Sequence, residues 1–251
     1  MELTVLGAGP AYTVRPGALG SSYVVQADGA ALVLDLGQGV FPSLAAVVEP
    51  SEVVAFVVSH LHPDHWIDLV PLRHYLRYEF EPPRRARVHA PIDLVARVDA
   101  LHDEPGWSSE AIDAEVLVAG RRSIGPFRVE AAKVRHTDDS YAFRVTVGGE
   151  DGPGLVYSGD CGVAADLAPL VRPGDTLLTE VAFGPGPVPV PDLHLDGRSV
   201  AALARATRPS RIFLTHLQMG YDPDETVAAV RVGYDGPLSF VSPGDRITIP
   251  G

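Results

Sequence analysis

The stretch HLHPDH places His60, His62, Asp64 and His65 one residue beyond the apolar run VVAFVV. Imidazole nitrogens and a carboxylate oxygen gathered this closely form the ligand set that suits zinc and similar divalent cations. The alternative is a solvated, histidine-rich loop with no task. The rest of the chain decides between them.

Ligand-type residues recur further on. His136 follows AAKVR, Asp160 follows LVYSG, Glu180 closes TLLTE and His216 closes IFLTH. If the apolar runs before them are strands, His60 and these four groups each lie at or just beyond a strand's carboxyl end. That edge is where α/β sheets build their sites. Arbitrary histidines and carboxylates would fall as often in helices or on the opposite edge, so the five groups are expected to converge. Cys161 is the only cysteine, which excludes an intramolecular disulfide and a cysteine cage for zinc. No GxSxG motif offers a serine nucleophile. A metal-bound hydroxide is then the natural attacker for hydrolysis.

The elements that would position these groups are short. Runs such as LTVLG, SYVVQ, ALVLDLG, ARVHA, FRVEAAKV, YAFRVTV and LSFVS read as strands, some wholly apolar and some alternating. Helical patterns fall at residues 41–48, 67–78, 92–102, 199–207 and 224–232, so strands and helices alternate in the α/β manner. Proline and glycine are spread as turn punctuation. Their densest cluster, GPGPVPVPD, has structured segments on both sides and reads as a rigid loop beside a site, so a single domain over residues 1–251 is expected.

Composition narrows the partners. The formal net charge is -12, and Lys133 is the only lysine. Polyanion binding needs clustered cations, so no stable nucleic-acid complex is expected, whereas a small anionic substrate drawn in by metal ions is. No apolar run approaches the ~20 residues of a membrane span, and the opening MELTVLGAG reads as a strand rather than a leader. No membrane association and a cytoplasmic location are expected; a homodimer is left open.

With HLHPDH followed by separate His136, Asp160 and His216, the chain resembles the binuclear metallo-β-lactamase superfamily over nearly its whole length. The resemblance implies a four-layer αββα sandwich, two mixed β-sheets between outer helices. It also implies one metal ion held by His60, His62 and His136, a second by Asp64, His65 and His216, and Asp160 bridging both. LVLDLGQG matches the family's early Asp-Gly segment, which makes Asp35 a support near the metals. Two divalent ions are implied, zinc first, with manganese and iron compatible with the same donors.

Within the superfamily, lactamases carry Cys or Ser where Asp160 stands, and glyoxalase-type thioesterases carry a longer extension after the last histidine. The segment from TLLTE through PDLHL to FLTHL is more similar to the ribonuclease Z and atypical cyclic nucleotide phosphodiesterase branch. There a glutamate after a strand and a histidine opening a helix protonate the leaving oxygen, which implies Glu180 and His194 as an acid pair. With Asp64 they are the candidate catalytic residues. The family's Ser or Thr after that histidine is absent, since His194 is followed by Leu195 and Asp196, and Asp196 is a candidate helix cap. The basic arm of ribonuclease Z, which clamps tRNA, is also absent: only two strand candidates and the turn GGEDGPG separate His136 from Asp160.

The expected function is therefore a phosphodiesterase for a small substrate such as a 3′,5′-cyclic nucleotide. An armless RNA 3′-end ribonuclease, a lactone or ester hydrolase, and a non-catalytic metal-binding protein are the alternatives. Several other residues carry weaker signals. Arg84, Arg85 and Arg87 read as a solvated loop more than a phosphate contact. His74, His89 and His102 read as structural, and Cys161 as buried beneath the site. Trp66, Tyr78 and Phe80 suit a core or a base-binding wall equally well. The GAGPAY turn lacks GxGxxG spacing and reads as the exit from the first strand.

Overall fold

The computed structural model describes residues 1–15, 17–149 and 152–250. In chain order, β1 (Glu2–Gly7), β2 (Ser22–Ala27), β3 (Ala30–Leu34), β4 (Ala55–Val57), β5 (Ala86–Ala90) and β6 (Ile112–Val116) form one sheet. The second sheet holds β7 (Gly120–Ile124), β8 (Phe127–Val134), β9 (Ser140–Val147), β10 (Leu155–Tyr157), β11 (Thr176–Glu180), β12 (Arg211–Thr215) and β13 (Leu238–Phe240). The last strand, β14 (Arg246–Thr248), returns to pair with β1, so that each sheet has seven strands. Both sheets are mixed. The first is antiparallel from β14 to β3 and parallel from β3 to β6; the second is antiparallel from β7 to β10 and parallel from β10 to β13.

Strand alternation builds three apolar layers. In β3, Leu32 and Leu34 face the second sheet while Val33 faces outward, and in β9 Phe143 and Val145 face the first sheet while Ala142 faces outward. The outward face of the first sheet is covered by α1 (Phe41–Val47), α2 (Leu69–Tyr78) and α3 (Leu94–His102) through Leu44, Leu72, Leu76 and Val98. The outward face of the second is covered by α4 (Ala164–Leu167), α5 (Gly197–Thr207) and α6 (Pro223–Arg231) through Leu167, Val200, Leu203 and Val230. The result is the expected αββα sandwich.

The helices next to the site have legible starts. Asp196 caps α5 by accepting the Ser199 N–H at 2.7 Å, as its position suggests. Asp222 caps α6 with bonds from the N–H groups of Asp224 and Glu225, and Pro223 takes the first helical position. Between His136 and Asp160 run β9, β10 and a turn, of which residues 150 and 151 lie outside the described residues. No helix among the described residues is long and apolar enough to cross a membrane.

Candidate metal centre

Because β8, β10, β11 and β12 run in one direction, their carboxyl ends share an edge. His136 and Asp160 lie shortly beyond β8 and β10, Glu180 is the last residue of β11, and His216 immediately follows β12. From the first sheet, the loop after β4 delivers His60, His62, Asp64 and His65, the last two on a 3₁₀ turn spanning Pro63–His65. Close backbone contact fixes that turn. Ser21 donates its N–H to the Asp64 carbonyl at 3.0 Å and Leu36 to the His65 carbonyl at 2.8 Å. Gly37 lies so near that a Cβ there would stand 1.9 Å from the Asp64 oxygen.

These side chains converge on Asp160. One of its oxygens lies 3.3 Å from His216 Nε2, 3.6 Å from His136 Nε2 and 3.7 Å from His60 Nε2, and the other lies 3.4 Å from His65 Nε2. Asp64 Oδ2 is 3.5 Å from His65 Nε2 and 3.7 Å from His216 Nε2, while His62 Nδ1 is 3.0 Å from His136 Nε2. Two groups that could each hold a cation result: His60, His62, His136 and Asp160, and beside it Asp64, His65 and His216.

The donors fit a metal better than they fit each other. His60 Nε2, Asp64 Oδ2 and His65 Nε2 are buried with no hydrogen-bond partner, and an orphaned buried polar atom costs roughly 1–3 kcal/mol. The opposite ring nitrogens are engaged. His65 Nδ1 donates to Asp35 at 2.7 Å, His136 Nδ1 donates to the Leu193 carbonyl at 2.6 Å, and His216 Nδ1 meets the Ser21 hydroxyl at 3.2 Å. Such outer bonds fix each ring and tautomer for ligation. His216 (φ 60°) and Asp35 (φ 59°) both occupy the left-handed backbone region, an expense of about 1–3 kcal/mol each that the surrounding bonds sustain.

Electrostatics point the same way. Burial pushes His60, His62 and His136 below the ordinary imidazole value, toward the neutral form that binds metal. Burial also opposes charge on His65, but Asp160 and Asp35 outweigh it and hold its pKa well above the usual range. Burial would likewise raise Asp160, yet His216 and His65 keep it well below the ordinary carboxylate value. A divalent cation would take over the role of the His65 proton.

Glu180 and His194 form a third group against Asp160. Glu180 Oε1 accepts the Cys161 N–H at 2.9 Å and meets His194 Nδ1 at 3.0 Å, and Oε2 accepts the Ala182 N–H at 2.9 Å. His194 Nδ1 lies 4.0 Å from Asp160. Burial lowers the His194 pKa, but Glu180 and then Asp160 overcome it and raise the value to about 9. His194 does not open a helix as the resemblance implies; α5 begins at Gly197, and His194 sits in the preceding loop. That loop presses on Gly162, where a Cβ would stand 1.9 Å from the Asp192 carbonyl carbon.

All nine polar residues singled out by motif and resemblance are thus brought together with Asp35 behind them. The sequence reading missed Tyr157, whose hydroxyl donates to Asp35 at 2.6 Å, and Ser59, whose N–H and hydroxyl donate to the same carboxylate at 2.6 and 2.7 Å. The Leu193 carbonyl carries no sequence signal at all. The remaining candidates stay away. Arg84, Arg85 and Arg87 stand at the amino end of β5, bonded to Ser51, Asp113 and Glu115. Trp66 is buried in the core under the first sheet, Phe80 packs on Tyr75, and Tyr78 is exposed on α2. His74, His89 and His102 belong to none of the three groups, and Cys161 is buried.

Known proteins share this frame. A Mycobacterium leprae protein of uncharacterized function, ML1173, is 30% identical, covering 99% of this chain and 89% of that protein. The probable metallo-hydrolase YhfI of Bacillus subtilis is 22% identical, covering 97% of this chain and 98% of that protein. The crystal structure of YhfI superposes with a TM-score of 0.85 at 20% identity, covering 98% of this chain and 99% of that one. The short form of human tRNase Z gives 0.73 at 20% identity over the whole of both chains. The family model described as the beta-lactamase superfamily domain matches residues 33–217, which contain every candidate ligand, and the chain belongs to this metallo-β-lactamase-fold superfamily.

Proposed function

We propose that the chain is a metal-dependent hydrolase of phosphodiesters that acts on a small anionic substrate such as a 3′,5′-cyclic nucleotide. The observation that carries this reading is the Glu180–His194 pair, 3.0 Å apart and set against Asp160 at the edge of the metal-ligand cluster. Two divalent ions, zinc first among those these donors suit, would be held by His60, His62 and His136 and by Asp64, His65 and His216, with Asp160 between them. Ions held there supply Lewis acidity to water and to the phosphoryl oxygens.

The chain's own residues supply the rest. Expulsion of an alkoxide from phosphorus leaves an oxygen far more basic than water, so a proton donor at the leaving group lowers the barrier. Glu180 holds His194 by Nδ1, which leaves Nε2 as the nitrogen that can give up a proton. Two backbone N–H bonds fix Glu180 in turn, so the imidazole is oriented before substrate arrives. Glu180 and Asp160 hold the His194 pKa up at about 9 against burial, so the imidazole carries the proton that a general acid must deliver. A hydrolase reading also agrees with the likeness to the probable metallo-hydrolase YhfI, and a phosphodiester substrate with the likeness to the short form of human tRNase Z.

The leaving group tests the pair. His194→Ala is expected to slow hydrolysis of a cyclic nucleotide by roughly 10²–10⁴-fold, the usual worth of general acid catalysis, and that of bis(4-nitrophenyl) phosphate far less. Nitrophenolate departs without a proton. Equal losses on both substrates would remove His194 as the donor.

A further inference from the structure

Two recesses of different lining adjoin segments that carry candidate metal ligands. One, of about 160 Å³, is lined by Leu61 and Thr137, the sequence neighbours of His62 and His136, and by Asp93, Asp138, Asp139 and Arg97. Arg97 donates to the Leu61 carbonyl at 2.8 Å and Asp139 is paired with Lys133 at 2.7 Å, so the recess keeps only a small acidic excess. It suits an electron-rich part of a substrate less well than the second recess.

The other recess, of about 320 Å³, opens on the His216 side. The loop between β1 and β2 contributes Pro10, Thr13 and Arg15 to it; the segment after β13 contributes Ser242, and β13 itself the half-buried ring of Phe240. No carboxylate lines it. The Arg15 side chain meets no acidic partner among the described residues; its backbone N–H donates to the Thr13 hydroxyl at 3.2 Å. Apolar surface, the hydroxyl residues Thr13, Thr215 and Ser242 and the Arg15 guanidinium therefore share a cleft whose wall includes a candidate metal ligand. Its volume stands at the small end of ligand pockets, enough for one ring system and too little for an RNA body.

We infer that this cleft binds the base of the substrate, an acceptor-bearing planar ring of the nucleobase class, with Arg15 as the specificity-determining residue; this rests on the phosphodiester reading above. A guanidinium presents its N–H groups as a planar fork, which matches two adjacent acceptors. Guanine offers O6 and N7 side by side, whereas adenine offers N7 beside an amino donor. The Phe240 ring and Pro10 supply apolar surface for the base. A cyclic guanine nucleotide is accordingly the better fit, its phosphate on the metals and its base toward Arg15.

Kinetics with metal-loaded Arg15→Ala, an exposed substitution that leaves the core intact, test this. The KM for 3′,5′-cyclic GMP is expected to rise about ten-fold with kcat little changed, more than for cyclic AMP and more than for bis(4-nitrophenyl) phosphate. Arg15→Glu should raise it further. An unchanged KM, or an equal rise for all three, would overturn the assignment. Should no phosphodiester be hydrolysed, the functional reading fails by itself, and calorimetric binding of 5′-GMP still decides the cleft: about ten-fold weaker binding to Arg15→Ala supports it, and equal affinity refutes it.

Discussion

Asp35 shows how much of the centre depends on atoms that would never touch a metal. Its two oxygens accept from Ser59 twice, from Tyr157 and from His65, at 2.6 to 2.7 Å. Burial, followed by Asp35, pushes the Tyr157 phenol well above its ordinary pKa, so the hydroxyl remains a donor across the working pH range. Tyr157→Phe removes one of these bonds and loosens the carboxylate that orients the His65 ring. Metal affinity is expected to fall about ten-fold, the lower end for outer contacts of this kind, with chelator competition as the measurement. Unchanged affinity would show that Tyr157 is only packing. The candidate ligands are legible because five of these groups follow apolar runs, at strand exits where sites are built. Tyr157 is not, because alternation along LVY says which face a side chain takes but not that its tip meets Asp35 across the space between the two sheets.

At the scale of elements, the loops are held by backbone fit as much as by side chains. Gly37→Ala would bring a Cβ against the Asp64 carbonyl, and backbone is the part of the HLHPDH segment that cannot swing aside. This substitution is expected to cost about 1–3 kcal/mol of stability, as overpacking does, and to lower metal content; thermal unfolding and elemental analysis check it. Wild-type metal content would contradict the fit. The central strands announced themselves as apolar runs because both faces are covered. Three strands escaped the sequence reading: β6, β7 and β14 all lie at sheet edges, with mostly exposed or half-exposed residues such as Arg121, Glu115 and Arg246. Edge strands are polar by necessity. The short helix α4 was also missed; four residues are too few to show a helical period.

At the scale of the whole molecule, the candidate centre belongs to neither sheet alone. His60, His62, Asp64 and His65 come from the first sheet, and His136, Asp160, Glu180, His194 and His216 from the second. The ligands meet only when the two sheets close on their shared core. No carboxylate lines the His216 cleft, although the formal net charge of the chain is -12. The central claim, that this centre hydrolyses a small phosphodiester, is tested most directly by chromatographic product analysis. Metal-loaded protein incubated with 3′,5′-cyclic AMP and GMP should release the 5′-monophosphates, and the products should vanish with a chelator and in Asp160→Ala. Intact cyclic nucleotides, or products that persist without Asp160, would contradict it.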